Sequence, residues 1–164
     1  MNLSGWFRDQ LQFGMEGFLW AIDQMPAERC YLSPPQPLGE WTAARHLFHM
    51  LYYEDKIALP SIKQWLGGSP LAASGLHEES AWGNGHGLQV MKTQFRAVRA
   101  EQIALLPQLE PMWEQPRMTV WKTVPLRWVV TKTVQHTAEH THDVLSLALF
   151  WDAVVEYLRR TGSR

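Results

Sequence analysis

The sequence predicts an all-α protein, an antiparallel four-helix bundle with long connections between its helices. Three observations carry this prediction. Apolar residues recur at three-, four- and seven-residue spacings in four long segments, and the alternating pattern typical of strands is almost absent. Prolines and glycines are concentrated between these segments, where they end helices and favour loops. A length of 164 residues is that of one domain, which we assign to residues 1–164.

The first two helices are predicted from their apolar faces and from the residues at their ends. Leu3 to Met25 carries one apolar face of an amphipathic helix, and the proline-rich stretch 33–37 that follows excludes regular structure. The second helix begins after Thr42, which is a favourable N-cap residue. It runs to about Leu59, and Pro60 is expected to end or kink it.

A glycine-rich connection separates the second helix from the third. The stretch from Gly67 to Gly87 holds six glycines, and we expect a long surface loop that is able to cover a site. The third helix is predicted from about Gln89 to Leu106 and ends at Pro107.

The last third of the chain holds one short strand-like piece and the longest helix. Residues 110–125 contain three prolines and an alternating stretch, Met118 to Val124, that is able to pair locally as a strand. The fourth helix starts directly afterwards and runs toward Phe150. Two continuations stay open, because Asp152 is able to cap a separate short helix or the same helix continues to Arg160.

Composition excludes several classes of function. The formal net charge is -1, so the chain lacks the basic surface of a nucleic-acid-binding protein. The only cysteine is Cys30, and a lone thiol without a disulfide fits a reducing cytoplasm. The first residues lack the pattern of a signal peptide, and the longest apolar stretch, Val144 to Phe150, is too short to span a bilayer. We therefore expect a cytoplasmic protein that binds neither nucleic acid nor membranes.

The fourth helix carries the main candidate for a metal site. His136 and His140 are four residues apart, so both imidazoles lie on one helix face and can bind one ion at about 2.0–2.1 Å. They belong to a stripe that is apolar at its ends and polar in its middle, as a buried site requires. The stripe comprises Val129, Thr133, His136, His140, Asp143, Leu147 and Phe150. The alternative is a chance pair on a solvated face, since short motifs have many false positives.

Two other metal motifs match only in part. His136-x-x-Glu139-His140 has the form of an inverzincin protease, but only 24 residues follow His140, too few for the further acidic ligand. Glu139-x-x-His142 is half of a di-iron carboxylate motif, but a second such pair is absent from the sequence. A third histidine ligand has to come from another helix. The second helix offers both His46 and His49, and periodicity does not choose between them.

In the order and spacing of its motifs, the sequence resembles members of the DinB/YfiT-like superfamily. The resemblance rests on Trp41-Thr42, on an H-x4-E pattern from His49 to Glu54, and on Trp128 leading into His136-Thr137-Ala138-Glu139-His140. It extends from the first helix to about Phe150. It implies a four-helix bundle, often dimeric, that holds a divalent metal ion, nickel or zinc, by three histidines.

Carried over to this chain, the resemblance implies His49, His136 and His140 as the metal ligands. Glu54 would be a structural or outer-shell residue of the second helix, or form an ordinary solvated salt bridge. Members of the superfamily often have glutamine where this chain has Asp143. Asp143 is therefore open to three interpretations: a fourth ligand, an outer-shell acceptor that orients His140, or a plain polar residue.

The function expected from these residues is that of a metal-dependent enzyme. Three histidines leave an open coordination position, as in catalytic zinc sites. Some relatives are thiol-dependent transferases or isomerases and others resemble hydrolases, so we expect a small-molecule substrate and a low-molecular-weight thiol cosubstrate. The resemblance, together with a second helix that is apolar on nearly all sides, also predicts a homodimer. Glu139 is a candidate base, but it is turned about 100° away from the ligand stripe, so it is expected to be a surface residue or an outer-shell residue of the site. The alternative is a non-enzymatic, stress-associated binding or dimerisation module with a structural or vestigial metal site.

Overall fold

The computed structural model describes residues 2–83 and 86–162. Helix α1 spans Leu3–Asp23, and its N-terminus is capped by the side chain of Asn2, which accepts a hydrogen bond from the backbone N–H of Gly5. An N-cap of this kind satisfies a donor that has no partner within the helix. The predicted first helix is therefore confirmed.

The second helix continues beyond Pro60, which was expected to end or kink it, and a π-helical turn precedes the proline. Helix α2 spans Ala43–Tyr53 and is capped by the Thr42 hydroxyl, as predicted. A π-helical turn, Glu54–Ala58, follows without interruption and leads into helix α3, Leu59–Lys63, which contains Pro60. The wider turn absorbs the proline, which has no N–H to donate and crowds the carbonyl one turn earlier.

The glycine-rich connection contains a short helix rather than loop alone. Helix α4 spans Glu78–Ala81, inside the predicted 67–87 loop. Residues 84 and 85 of that predicted loop lie outside the described residues. Single 3₁₀ turns complete the connections, at Ala27–Arg29, Gln36–Leu38, Gln64–Leu66, Ala73–Gly75 and Glu110–Met112.

The two long C-terminal helices are joined by a small hairpin. Helix α5 spans Leu88–Leu109 and includes Pro107 in its last turn, so it runs three residues beyond the predicted end. Strands β1, Pro116–Met118, and β2, Thr123–Pro125, pair antiparallel, which confirms a local strand but not its predicted bounds. Helix α6 spans Leu126–Thr161 without a break, so the continuous alternative is correct.

The long helices form a bundle with an up-down-down-up order. Cross-helix contacts give the directions. Ser4 and Leu11 of α1 meet Leu106 and Arg99 of α5, so these two helices are antiparallel. Leu11 and Phe18 of α1 share apolar clusters with Leu126 and Leu147 of α6, so these two helices are parallel. Helices α1 and α6 run parallel, while α2 and α5 run opposite to both. The all-α bundle is therefore confirmed, with two parallel pairs of neighbours where a simple antiparallel order was expected. The long α2–α5 connection makes the parallel return possible.

The bundle core consists of two apolar clusters with a buried ion pair between them. One cluster lies around Phe18, Leu47 and Phe95, and the other lies around Leu11, Ile62 and Leu126. Between them, the guanidinium of Arg99 binds the carboxylate of Glu54 at full burial. Among the described residues, none of the helices combines the length and the hydrophobicity needed to cross a membrane.

Candidate metal centre

Three histidine rings from two helices meet in the cleft between α2 and α6. The Nε2 atom of His136 lies 3.1 Å from the Nε2 atom of His49 and 3.1 Å from that of His140. One nitrogen from each ring lies within 4.8 Å of the others. The structure thus brings together the three residues carried over from the resemblance. Their role as metal ligands stays a prediction.

The antiparallel packing of α2 against α6 explains why these residues meet. His46 contacts His140, His49 contacts His136, and the Tyr53 hydroxyl lies 3.5 Å from the Thr133 hydroxyl. As the residue number rises along α2, the number of the contacted residue on α6 falls. Both histidines of α2 therefore face α6, and they differ in which ring nitrogen they present.

Glu78 on helix α4 makes the outer contact of His49. Both carboxylate oxygens of Glu78 lie 2.9 Å from the Nδ1 atom of His49, which donates its hydrogen to them. A neutral imidazole carries hydrogen on only one nitrogen, so the neutral form of His49 that donates to Glu78 has a lone pair on its Nε2 atom, which faces His136. A carboxylate behind a histidine ligand is a common way of fixing the ligand's tautomer.

His46, rather than Asp143, makes the closest outer contact of His140. The Nδ1 atoms of His46 and His140 are 2.8 Å apart, which is hydrogen-bonding distance. The nearer carboxylate oxygen of Asp143 lies 3.6 Å from the same His140 nitrogen, and its side chain is half exposed. Asp143 therefore lies beside the cluster on the side away from the converging Nε2 atoms. A second group of potential ligands, His46, His140 and Asp143, shares His140 with the first.

Burial keeps the imidazoles of His46, His136 and His140 uncharged. Desolvation, followed by repulsion from neighbouring rings, lowers the pKa of His136 to about 3 and that of His140 to about 4. The same causes lower the pKa of His46 to about 3. Burial raises the pKa of Tyr53, whose ring packs 4.4 Å from that of His136, to about 12. At neutral pH these three histidines therefore have lone pairs available for a metal ion, and Tyr53 stays protonated.

A divalent ion fits the donor set. When His140 donates its Nδ1 hydrogen to His46, the Nε2 atoms of His49 and His140 both carry lone pairs, and His136 Nε2 has at most one hydrogen to share between them. One cation satisfies all three. A tetrahedral ion with bonds of about 2.0–2.1 Å separates its ligands by about 3.3 Å, close to the observed 3.1 Å. Neutral imidazoles suit zinc and nickel.

Trp41 packs over the cluster and forms part of an adjacent cavity. Its ring is parallel to that of His140, with centroids 5.9 Å apart, and lies 4.9 Å from the ring of His49. A surface cavity of about 520 Å³ begins at Trp41 and His140 and extends to Asp143 and Phe150. This volume lies within the range of sites for small molecules, roughly 300–1,000 Å³.

Two glutamates considered from the sequence lie outside the cluster. Glu54 is fully buried in the pair with Arg99, so it is a structural residue of the core, and a solvated salt bridge is excluded. Glu139 is exposed and accepts a hydrogen bond from Gln135, one turn earlier on α6. Its surface position agrees with the prediction from helical geometry.

Sequence reasoning missed Glu78 and the arginine that holds it. Arg45 forms ion pairs with Glu78 and Glu79, although its own side chain is almost fully buried. Glu78 lies 29 residues from His49 in a glycine-rich connection, so neither periodicity nor spacing indicates the contact. The only available signal was a pair of adjacent acidic residues in an otherwise apolar and glycine-rich stretch.

The fold and the cluster together define a helical bundle in which three histidines, arranged as the ligands of a metal ion would be, lie between two antiparallel helices. The family model of the DinB superfamily matches residues 10–144, which is most of the chain. The protein belongs to the DinB superfamily. Comparison of the chain with curated proteins and with solved structures gave no significant match.

Proposed function

We propose that the protein is a metal-dependent enzyme of the transferase or hydrolase type. In this proposal His49, His136 and His140 hold one divalent ion, nickel or zinc. The observation that carries it is the convergence of three Nε2 atoms, with that of His136 at 3.1 Å from each of the other two. Membership of the DinB superfamily supports it independently.

Three nitrogen donors leave room for one more ligand in a four-coordinate site, which is the arrangement of catalytic rather than structural zinc. An ion held in this way lowers the pKa of a bound water or thiol and polarises a carbonyl group. The protein's own contribution is to orient the donors through Glu78 and His46 and to cover the cluster with Trp41.

The expected substrate is a small molecule, and a low-molecular-weight thiol is the expected cosubstrate. The cavity beside His140 has a suitable size, about 520 Å³. Cys30 cannot supply the thiol because it is 1% exposed in the apolar core, where burial raises its pKa. A thiol therefore has to enter with the substrate.

Two activity screens on the zinc- or nickel-loaded protein test this proposal. One follows transfer of a small thiol to an electrophile, and the other follows hydrolysis of amides and esters. We expect activity that is abolished by a chelator, restored by adding the metal back, and lost in His136→Ala. The control is His142→Ala, which removes an exposed histidine of the same helix. Activity that survives both chelation and His136→Ala would contradict a metal mechanism.

The second candidate is a non-enzymatic binding or dimerisation module in which the histidine cluster stabilises the bundle. It is favoured by an apolar row on the outer face of α1, where Trp6, Phe13 and Trp20 recur every seven residues. Their side chains are 45%, 67% and 55% exposed. Large exposed apolar patches commonly mark interaction sites. Light scattering tests the homodimer expected in both cases. A monomeric mass for the wild type, equal to the mass of Phe13→Ser, would refute it.

A further inference from the structure

We propose that Glu78 is a positioning residue of the metal site and that metal binding orders the segment that carries it. We call residues 77–83 the strap. The strap belongs to the long connection between α3 and α5, so it reaches the site from outside the helices of the bundle. This inference rests on the proposed metal binding by His49, His136 and His140.

Polar contacts fasten the strap to the outer side of α2. The backbone N–H of His77 donates to the hydroxyl of Tyr52 at 2.8 Å. The next residue, Glu78, accepts from His49 with both oxygens at 2.9 Å. Tyr52 and His49 lie one turn apart on α2, so two successive strap residues follow the same face of that helix. The strap therefore has a defined register against the ligand-bearing helix.

Arg45 adds a second layer behind Glu78. Its guanidinium lies 2.9 Å from a carboxylate oxygen of Glu78 and also pairs with Glu79. The same group lies 4.9 Å from the ring centroid of Trp41 and 5.4 Å from that of Trp82. Arg45 is 5% exposed, which holds this charge in one place. The chain Arg45–Glu78–His49 thus begins and ends on α2, with Glu78 of the strap held between an arginine and the predicted first ligand.

Glu78 and Glu79 differ in their contact with His49, so a comparison of the two isolates the effect of a carboxylate behind this histidine. Glu78 binds both Arg45 and His49, and its side chain is 22% exposed. Glu79 binds Arg45 but makes no contact with the histidine cluster, and its side chain is 82% exposed. A negative charge behind His49 makes its Nε2 atom a stronger electron-pair donor to a metal ion and favours the Nδ1–H tautomer. Of these two glutamates, Glu78 is the one placed to do this.

Metal binding and strap order are linked through this hydrogen bond. A metal ion bound to the Nε2 atom of His49 leaves the hydrogen of this imidazole on Nδ1, and Glu78 accepts a hydrogen bond from that tautomer. The coupling is reciprocal: if the ordered strap increases the affinity of the site for the ion, binding of the ion increases the stability of the ordered strap by the same factor. The strap is therefore expected to be better protected from hydrogen exchange in the metal-bound protein.

The test compares Glu78→Ala with Glu79→Ala in the full chain. Zinc affinity is measured by competition with a chromophoric chelator, and amide hydrogen exchange is followed over residues 73–83 with and without zinc. We expect Glu78→Ala to bind zinc about 10–100-fold more weakly than the wild type, the usual cost of losing an outer-shell partner. Glu79→Ala should stay within about threefold of the wild type, since it leaves the His49 contact intact.

Hydrogen exchange separates positioning from a merely structural effect. In the wild type and in Glu79→Ala, zinc should slow exchange in the strap, and in Glu78→Ala this slowing should disappear while α6 keeps its protection. Equal zinc affinities in Glu78→Ala and Glu79→Ala would overturn the inference while leaving the metal site intact. Failure of the wild type to bind zinc would overturn the metal site, and the inference with it.

Discussion

Replacing Glu54 with glutamine removes a buried negative charge without changing the side-chain volume. Glu54 accepts hydrogen bonds from Arg99 Nε at 2.8 Å and from Gln102 Nε2 at 3.1 Å. Arg99 also donates to the Leu11 carbonyl at 2.7 Å and to the Thr137 hydroxyl at 2.8 Å. These contacts join α1, α5 and α6 to the π-helical turn after α2. The substitution leaves an arginine at 0% exposure that cannot release its proton.

The expected cost follows from this uncompensated charge. Breaking a buried ion pair by removing one partner costs about 3–5 kcal/mol. With a urea dependence of about 2 kcal/mol per molar, the unfolding midpoint of Glu54→Gln should fall by about 2 M. Arg99→Met should cost less at low pH, because burial already raises the pKa of Glu54 and the carboxyl can then take up a proton. The double variant should be more stable than Glu54→Gln alone.

Urea unfolding followed by circular dichroism measures these values. Lys63→Gln is the control, since the Lys63–Glu101 pair is about half exposed and should contribute less than about 1 kcal/mol. A loss below about 1 kcal/mol in Glu54→Gln, or a loss equal to that of the control, would refute the assignment of Glu54 to the structural core. Zinc binding by the folded variant should be unchanged, because Glu54 makes no contact with the histidine cluster.

Three further predictions concern the site and the core. The pKa of His46, His136 and His140 lies at about 3, 3 and 4, below the value of about 6.5 in an unfolded chain, so the unfolded state binds more protons below neutrality. Metal-free protein should therefore lose about 1 kcal/mol of stability per imidazole between pH 7.5 and 5.5, after allowance for solvent screening, and a thermal midpoint that stays flat or rises would contradict this. His46→Ala should weaken zinc binding by about tenfold, whereas Asp143→Asn should change it less than about threefold because Asp143 lies 3.6 Å from His140. A larger loss in Asp143→Asn, measured by chelator competition, would instead identify it as a ligand. Cys30 should react with a thiol reagent at least about tenfold more slowly in the native protein than in urea, because burial raises its pKa. Equal rates would contradict its core position.

Much of the fold follows from local features that the sequence displays directly. The apolar faces of α1 and α6 repeat with helical spacing, and Thr42 caps α2 as its residue type favours. Helix ends at prolines were less predictable. Pro60 follows a π-helical turn and Pro107 lies in a last turn, and both are tolerated because packing of the surrounding helix outweighs a lost hydrogen bond.

The candidate site divides into a predictable and an unpredictable part. His136 and His140 are four residues apart on one helix, so their proximity follows from helix geometry alone. The choice of His49 required the family pattern, because His46 lies on the same side of α2 and also reaches α6. Glu78 was beyond prediction, since a long connection sets its position through contacts with Arg45 that no periodicity encodes.

Metal content is the most direct test of the three-histidine site. Protein without a histidine tag is loaded with zinc or nickel, dialysed, and measured by elemental analysis together with His136→Ala and His142→Ala. We expect one equivalent of metal per chain in the wild type and in His142→Ala, whose exposed ring lies outside the cluster, and almost none in His136→Ala, which loses the central Nε2 donor. Absence of stoichiometric metal in the wild type, or equal metal in His136→Ala, would contradict the account.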